Sequence, residues 1–409
     1  MRTVIADGGE LMAIDYAGSA TDRARTRARR AARLHELSFL RRLDWVLAGA
    51  VAVLIGYGLW AIDGITHHDV DGSPHYFLVR QATFVAAGLV GFAVALALDP
   101  AQLQRLWRPI YIGTVGTMLL VFAAGPVTRG SRRWLDVGSF RFQPSEFGKL
   151  LFVLALAGFL ADRAKRMDDP RTTTSALMLA ALPVGLVFIQ PDFGTALVYG
   201  AAFAAVLFVA GTRWLTLAAL GVLTLITALC VLWLLPAAGV HVLKPYQVQR
   251  WTGFLHPDSD PAGATYNITQ SKVAVGAGGF DGRGVAGATQ TNLSYLPEHA
   301  TDFVFASFAE QRGFIGATIL LLLYLLVVWR GLRIVTVAGD LFSAIVAGGI
   351  VIAFLFQIFV NVGMTMGIAP ITGIPLPFVS VGGSSMIANL TAMGVLLSIH
   401  ARGTPFRRR

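Results

Sequence analysis

The segment YLPEHATDFVFA, residues 295–306, sets Glu298 and Asp302 directly ahead of a long run with almost no charge, which Glu310 and Arg312 enter. A carboxylate at a partly desolvated membrane edge has a raised proton affinity, as a general base acting on a hydroxyl requires. Thr301 or Asp302 could instead cap the helix that follows, so capping and catalysis are both open for Asp302. A second acid begins another apolar run, FQPSEFGKLLF, where Glu146 and Lys149 share one helix face at i and i+3. Ionisable groups there are rare, and they pair with each other or with a substrate; both readings stand. In QPDFGTAL, Asp192 precedes a span and reads as a helix cap.

Basic residues gather near these acids. TRGSRRWLDVGSFRFQ holds Arg129, Arg132, Arg133 and Arg141, and residues 236–303 add Lys244, Arg250, Lys272 and Arg283. They either balance neighbouring aspartates and headgroups or form a site for a polyanion such as a diphosphate, whose oxygens a guanidinium fork matches. GIAPITGIPLPFVSVGGSS, residues 367–385, cannot be one helix, because its three prolines break it. Gly382, Gly383 and Ser384 then open the last helix, whose N-terminal amides could serve an anion or simply form a turn. GAGGFDGRG lacks the spacing of a nucleotide loop, and His67 and His68 lack a second ligand pair at metal spacing. Cys230 is the single cysteine and can form no disulfide within the chain.

These residues are positioned by an integral membrane chain. Of 409 residues 55% are hydrophobic and 14% charged, and the mean hydropathy is +0.64, too apolar for a soluble globule. Apolar stretches near 45–62, 78–98, 109–125, 145–161, 176–190, 194–211, 215–235, 313–329, 341–366 and 384–400 predict about ten spanning helices. Barrel-like alternation is absent, so the fold class is an all-α polytopic bundle. Residues 1–43 read as a basic cytoplasmic arm, 44–402 as the membrane domain with a large extracellular loop at 236–303, and 403–409 as a basic cytoplasmic tail. Arginines crowd both ends, so both termini should be cytoplasmic, as an even span count requires; Arg105, Arg108, Arg163, Lys165, Arg166, Arg213, Arg330 and Arg333 then fall on the same side. YNITQSKVAVGAGG predicts a short helix lying on the membrane within the large loop. No internal repeat is visible, which argues against an inverted-repeat transporter.

GSRRWLDVGSFRFQPSEFGKL, QPDFGTAL, YQVQRWTGFLHPDSDPAGATYNITQSKVAVGAGGFDGRG, YLPEHATDFVFA and NVGMTMGIAPITGIPLPFVSVGGSSM resemble, in order, the motifs of the SEDS family (shape, elongation, division and sporulation), over about residues 40–401. RRLDW at 41–45 and ATQT at 288–291 are closer to the elongation, RodA-like branch than to the division branch. The resemblance implies a ten-helix glycosyltransferase of the bacterial inner membrane with an outward-facing site. It would polymerise lipid II into β-1,4 glycan strands with inversion, release undecaprenyl diphosphate among the membrane lipids, and work with a class B penicillin-binding protein; nucleic acid has no part in it. The family's essential acid falls on Asp302, its fourth-helix acid–base pair on Glu146 and Lys149, and the arginine before its tryptophan on Arg133. The substrate-binding set is then expected among Arg129, Arg132, Arg133, Glu146, Lys149, Lys272, Arg283, Glu298, Gly382, Gly383 and Ser384. No metal-ligand set and no required cofactor is expected, although a divalent cation, Mg2+ or Mn2+, could assist at the diphosphate. Two departures stand out: His299 sits one place earlier than the family's histidine, and Gln311 occupies a position where many members carry an acid. A flippase of the same precursor, or a non-catalytic scaffold of the division or elongation machinery, is the alternative.

Overall fold

The structure, a computed structural model, describes residues 41–127, 131–138, 140–239 and 265–403. Most of the basic arm, the end of the tail, Arg129, Lys244 and Arg250 lie outside the described residues. Among the described residues nine helices are long and apolar enough to span a membrane, and Phe193–Val209 is a shorter apolar one, which matches the ten predicted stretches. They are α1 (Trp45–Ile65), α2 (Tyr76–Ala97), the short α3 (Pro100–Arg105), α4 (Trp107–Ala124), α5 (Pro144–Ala161), α6 (Pro170–Ile189), α7 (Phe193–Val209) and α8 (Trp214–Leu229). Helix α8 runs on through a π turn to Ala237. After the large loop come α9 (Tyr266–Gly278), α10 (Gly284–Gly287), α11 (Thr289–Asn292), α12 (Val304–Val337), α13 (Leu341–Thr365) and α14 (Gly383–Arg402).

Helix starts follow from local chemistry. Asp44, Asp99, Asp169, Asp192 and Asp340 each accept a backbone N–H at the first turn of the helix they precede. Proline occupies the first turn of α3, α5 and α6, where its missing donor costs nothing. In a membrane each backbone group must be satisfied inside its own segment, which is why these apolar runs are helical throughout.

Helices α5, α13 and α14 form the centre and α8 has no buried residue at all. Helix α14 lies along α2, α13 against α7 and α12, α4 against α5, and α1 against α12. One face of the bundle, the terminal face, carries Asp44 and Arg402. There the Asp44 carboxylate is held by Arg330 of α12 at 2.6 and 2.9 Å, 286 residues away in the chain. The opposite face carries the 131–142 segment, residues 265–303 and residues 366–382, and is the loop face.

Three irregular elements build the loop face. A hairpin, β1 (Leu135–Val137) with β2 (Phe140–Phe142), pairs Asp136 with Arg141 and lays Phe140 against Phe84 of α2 and over Gly383, where a Cβ would come within 2.8 Å of the ring. Helix α9 occurs at the predicted YNITQSKVAVGAGG stretch, but it packs on α12 and α13 through Ile268, Ser271 and Ala274 instead of lying amphipathically on a membrane surface. The third element is a break in α12 at Gly313, whose φ of 63° with ψ of −164° is a backbone conformation open essentially to glycine alone. The amides of Phe314 and Ile315, released by the break, donate to the carbonyls of Gly279 and Phe280 at 2.9 and 3.2 Å, and Arg283 N–H donates to the Glu310 carbonyl at 2.9 Å. The glycine-rich VGAGGFDGRG is therefore the seat of a broken helix; Gly278 sits directly on the Ala309 carbonyl, where a Cβ would clash.

Candidate active site

Asp302 lies half-buried on the turn that enters α12, and its position is set through the backbone. The Asn361 side-chain amide, on α13, donates to the Asp302 carbonyl at 2.9 Å and to the Ile374 carbonyl at 2.8 Å. Ser380 donates its hydroxyl to the Thr301 carbonyl at 2.6 Å, and the Val381 amide donates to the Ala300 carbonyl at 2.9 Å. Three successive carbonyls, 300–302, are thus held by α13 and by the proline-rich segment that precedes α14. The residue that opens α12 is Phe303, whose side chain makes no cap bond. The Thr301 hydroxyl donates to the Glu298 carboxylate at 3.0 Å. Glu298, exposed and with a φ of 54°, turns the chain sharply; its carbonyl accepts the amides of Thr301 and Phe303 at 3.1 and 3.2 Å. Its role in the geometry is to shape the turn that presents Asp302.

His299, the displaced histidine, points to a different partner. Its Nε2 lies 3.0 and 3.1 Å from the two carboxylate oxygens of Asp69, on the α1–α2 connection, and ties that connection to the Asp302 turn. Glu310 and Arg312 do not join Asp302 in one acidic mouth, as their spacing suggested. Glu310 is fully buried and accepts the Gln290 and Thr291 amides at 2.9 and 3.0 Å and the Thr291 hydroxyl at 2.8 Å, clamping α11. Arg312 stacks on Trp60 of α1, 3.6 Å from its ring centre. The physical reason is helical geometry: both residues lie beyond the first turn of α12 and face its protein neighbours.

Glu146 and Lys149 form a buried pair. Lys149 Nζ donates to both carboxylate oxygens at 2.9 Å and to the Gln357 side-chain carbonyl of α13 at 2.8 Å. Gln357 and Asn361 are one turn apart on the same face of α13, so this helix holds both acidic regions, about 6 Å apart along its axis. Sequence reasoning missed these two amides. The signal was present, since FLFQIFVNVGMT places two polar side chains at i and i+4 in an apolar span.

The basic residues divide. Arg133 donates to the Gln190 carbonyl at 2.9 Å and to the Pro191 carbonyl, and Arg132 donates to the Phe122 carbonyl at 2.7 Å, so both fasten the hairpin to helix ends. Arg283 is exposed and donates to the Ala277 carbonyl at 2.9 Å; Lys272 is exposed on α9 beside Gly367. At the start of α14, Ser384 is buried: its hydroxyl accepts the Gln143 amide at 2.9 Å and donates to the Arg141 carbonyl at 3.1 Å. Gln81 of α2 accepts the Gly382 amide at 3.2 Å. Hairpin, α5 and α14 are thereby knitted together beneath the loop face, and Gln143 reaches on to Asp192 at 3.2 Å. Among the described residues no group of three or more His, Cys, Asp or Glu is arranged to hold a metal ion.

A polytopic helical membrane protein with a backbone-clamped aspartate on one face is the class that fold and site define. The chain belongs to the FTSW_RODA_SPOVE family of cell cycle proteins, whose model matches residues 41–404. It is 38% identical over 358 residues to the peptidoglycan glycosyltransferase MrdB of Escherichia coli K12, covering 87% of this chain and 94% of that protein. It is 36% identical to the stage V sporulation protein E of Bacillus subtilis, over 86% of this chain and 92% of that one. A chain from a solved structure described as the structural coordination of polymerization and crosslinking by a peptidoglycan synthase complex superposes with a TM-score of 0.73 and 31% identity, covering 88% of this chain and 97% of that one. The rod shape determining protein RodA of Thermus thermophilus superposes with a TM-score of 0.64 and 28% identity, covering 88% and 97%.

Proposed function

We propose that this chain is a peptidoglycan glycosyltransferase that polymerises lipid II into β-1,4 glycan strands for cell elongation and shape, with Asp302 as general base. The names of its relatives and their near full-length similarity support the activity. The observation that carries the assignment of Asp302 is its setting: three adjoining carbonyls, 300–302, are clamped by α13 and by the segment that precedes α14. In the reaction, the 4-hydroxyl of the acceptor GlcNAc attacks the anomeric carbon of the donor MurNAc. Its oxygen forms the new C–O bond, its proton passes to the Asp302 carboxylate, and the bond to the lipid diphosphate breaks with its electrons on the leaving oxygen. A single displacement on an α-linked donor inverts to β.

The diphosphate would be met by cations on the loop face, among which Lys272 and Arg283 are exposed. Arg132 and Arg133 would position the hairpin, and Lys149 would act through Glu146 and Gln357. No cofactor would be required, and a divalent cation, Mg2+ or Mn2+, could assist at the diphosphate. The site would face outward from the bacterial inner membrane with both termini cytoplasmic. A class B penicillin-binding protein would be the partner; the similarity to a chain of a complex that couples polymerization to crosslinking supports this.

The test uses purified chain with lipid II, with and without the candidate transpeptidase, and separates glycan products on a gel. Polymer from the native chain and none from a folded Asp302→Asn variant is the expected result. Polymer from both would reduce Asp302 to a structural residue; polymer from neither, with the partner present, would favour a flippase.

A further inference from the structure

On the terminal face, far from Asp302, a cleft opens between α3, the start of α4 and the end of α5. It is lined by Ala101, Gln104, Arg105, Trp107, Arg108 and Asp162. Arg105 and Arg108 both reach solvent, and neither forms an ion pair or hydrogen bond with another described residue; Arg108 only lies over the Trp107 ring, 5.3 Å from its centre. Trp107 is itself fixed, its indole N–H donating to Asp162 at 2.8 Å and its ring meeting Phe159 edge-on at 5.8 Å. Asp162 thus offsets one of two guanidinium charges and is engaged by the indole.

Arg105 sits favourably in the last turn of α3, but the position of Arg108 is electrostatically costly as it stands. Arg108 is in the first turn of α4, where the helix dipole disfavours a cation, and α4 starts without a side-chain cap. An anion in the cleft would relieve both effects. Next to the cleft the surface is apolar, with Leu106 51% and Ile112 69% exposed. A tryptophan anchor, two guanidinium forks and an adjoining apolar flank are what a membrane-embedded phosphate ester meets at an interface.

We propose that this cleft binds the headgroup phosphate of an anionic phospholipid of the phosphatidylglycerol type, with its acyl chains along Leu106 and Ile112. A free phosphate would satisfy the arginines but would leave the apolar flank without a role. The site is independent of the glycosyltransferase assignment.

The experiment is native mass spectrometry of the full chain released from micelles, titrated with phosphatidylglycerol or with phosphatidylcholine of the same acyl chains. Retention of phosphatidylglycerol over phosphatidylcholine is expected, and an Arg105→Gln/Arg108→Gln double variant should weaken that retention about thirtyfold. A Lys165→Gln variant removes a charge from the same face outside the cleft and should leave retention unchanged; melting temperatures check that each variant is folded. Equal retention of the two lipids, an unaffected double variant, or an equal loss in Lys165→Gln would overturn the proposal. Displacement of the lipid by millimolar inorganic phosphate would replace the lipid site with a free-anion site.

Discussion

Glu146 of α5 and Asp302, on the turn entering α12, are carboxylate regions that neighbouring levels of α13 hold through Gln357 and Asn361, and they are held in opposite ways. Glu146 is 3% exposed and has both oxygens on Lys149, whose remaining reach goes to Gln357. Its side chain is consumed by its surroundings. Asp302 is half-buried and is held by what grips the main chain around it, through Asn361, Ser380 and Val381. The buried pair lies within α5 and is tied to α13 by the Lys149–Gln357 hydrogen bond, and removing one of its charges is costly because the other is left buried and unpaired. A clamped backbone fixes where a carboxylate stands through the main chain on either side of it. The first arrangement suits a support and the second suits a reagent.

This contrast makes different substitutions fail in different ways. Asp302→Asn should lower polymerisation by about 10²–10⁴-fold, the range for losing a general base, while the melting temperature stays close to that of the native chain. A large drop in melting temperature would place Asp302 with Glu146 as a support. Lys149→Met should do the reverse, destabilising by about 3–5 kcal/mol because a buried carboxylate is left unpaired. Joining it with Glu146→Gln should restore much of that loss, and thermal unfolding of the single and double variants checks it; a double variant as unstable as the single would break the comparison. Asn361→Ala removes the grip on the Asp302 and Ile374 carbonyls and leaves the carboxylate chemically intact. We expect roughly a tenfold to hundredfold loss in turnover, since a misplacement of about 1 Å has that effect, with a smaller loss of stability. Single-turnover measurements on saturated enzyme would separate this from weaker substrate binding. The smallest effect is expected from His299→Ala, which breaks a peripheral tie to Asp69 worth about 1 kcal/mol or less, so activity should fall no more than a few-fold. A loss as large as that from Asp302→Asn would make His299 a participant in the chemistry.

Other regions show the same division between local and distant causes. Asp192 accepts the Thr195 amide as its place before a helix required, because a cap depends on three or four adjoining residues. The helix at 266–278 was readable for the same reason, but its seat on α12 was not, since that seat exists only where Gly313 breaks the partner helix. The glycine-rich run around 276–284 was unreadable alone, because its glycines seat the backbone of residues 309–315. Glu310 is a related case. Sequence spacing brought it near Asp302, whereas the rotation of α12 turns it inward onto the Gln290 and Thr291 amides.

By itself the sequence determined what each segment could be. Apolar runs of spanning length, with aspartates and prolines at their starts, settle helices and membrane character, because these effects act within a few residues. Tertiary structure alone decided which acids are supports and which one is presented. That decision depends on Lys149 meeting Gln357 across 208 residues, Ser380 meeting Thr301 across 79, and Asn361 meeting Asp302 across 59. Such contacts arise only when helices that are distant in the chain share a face, and the period of no single helix records its neighbours.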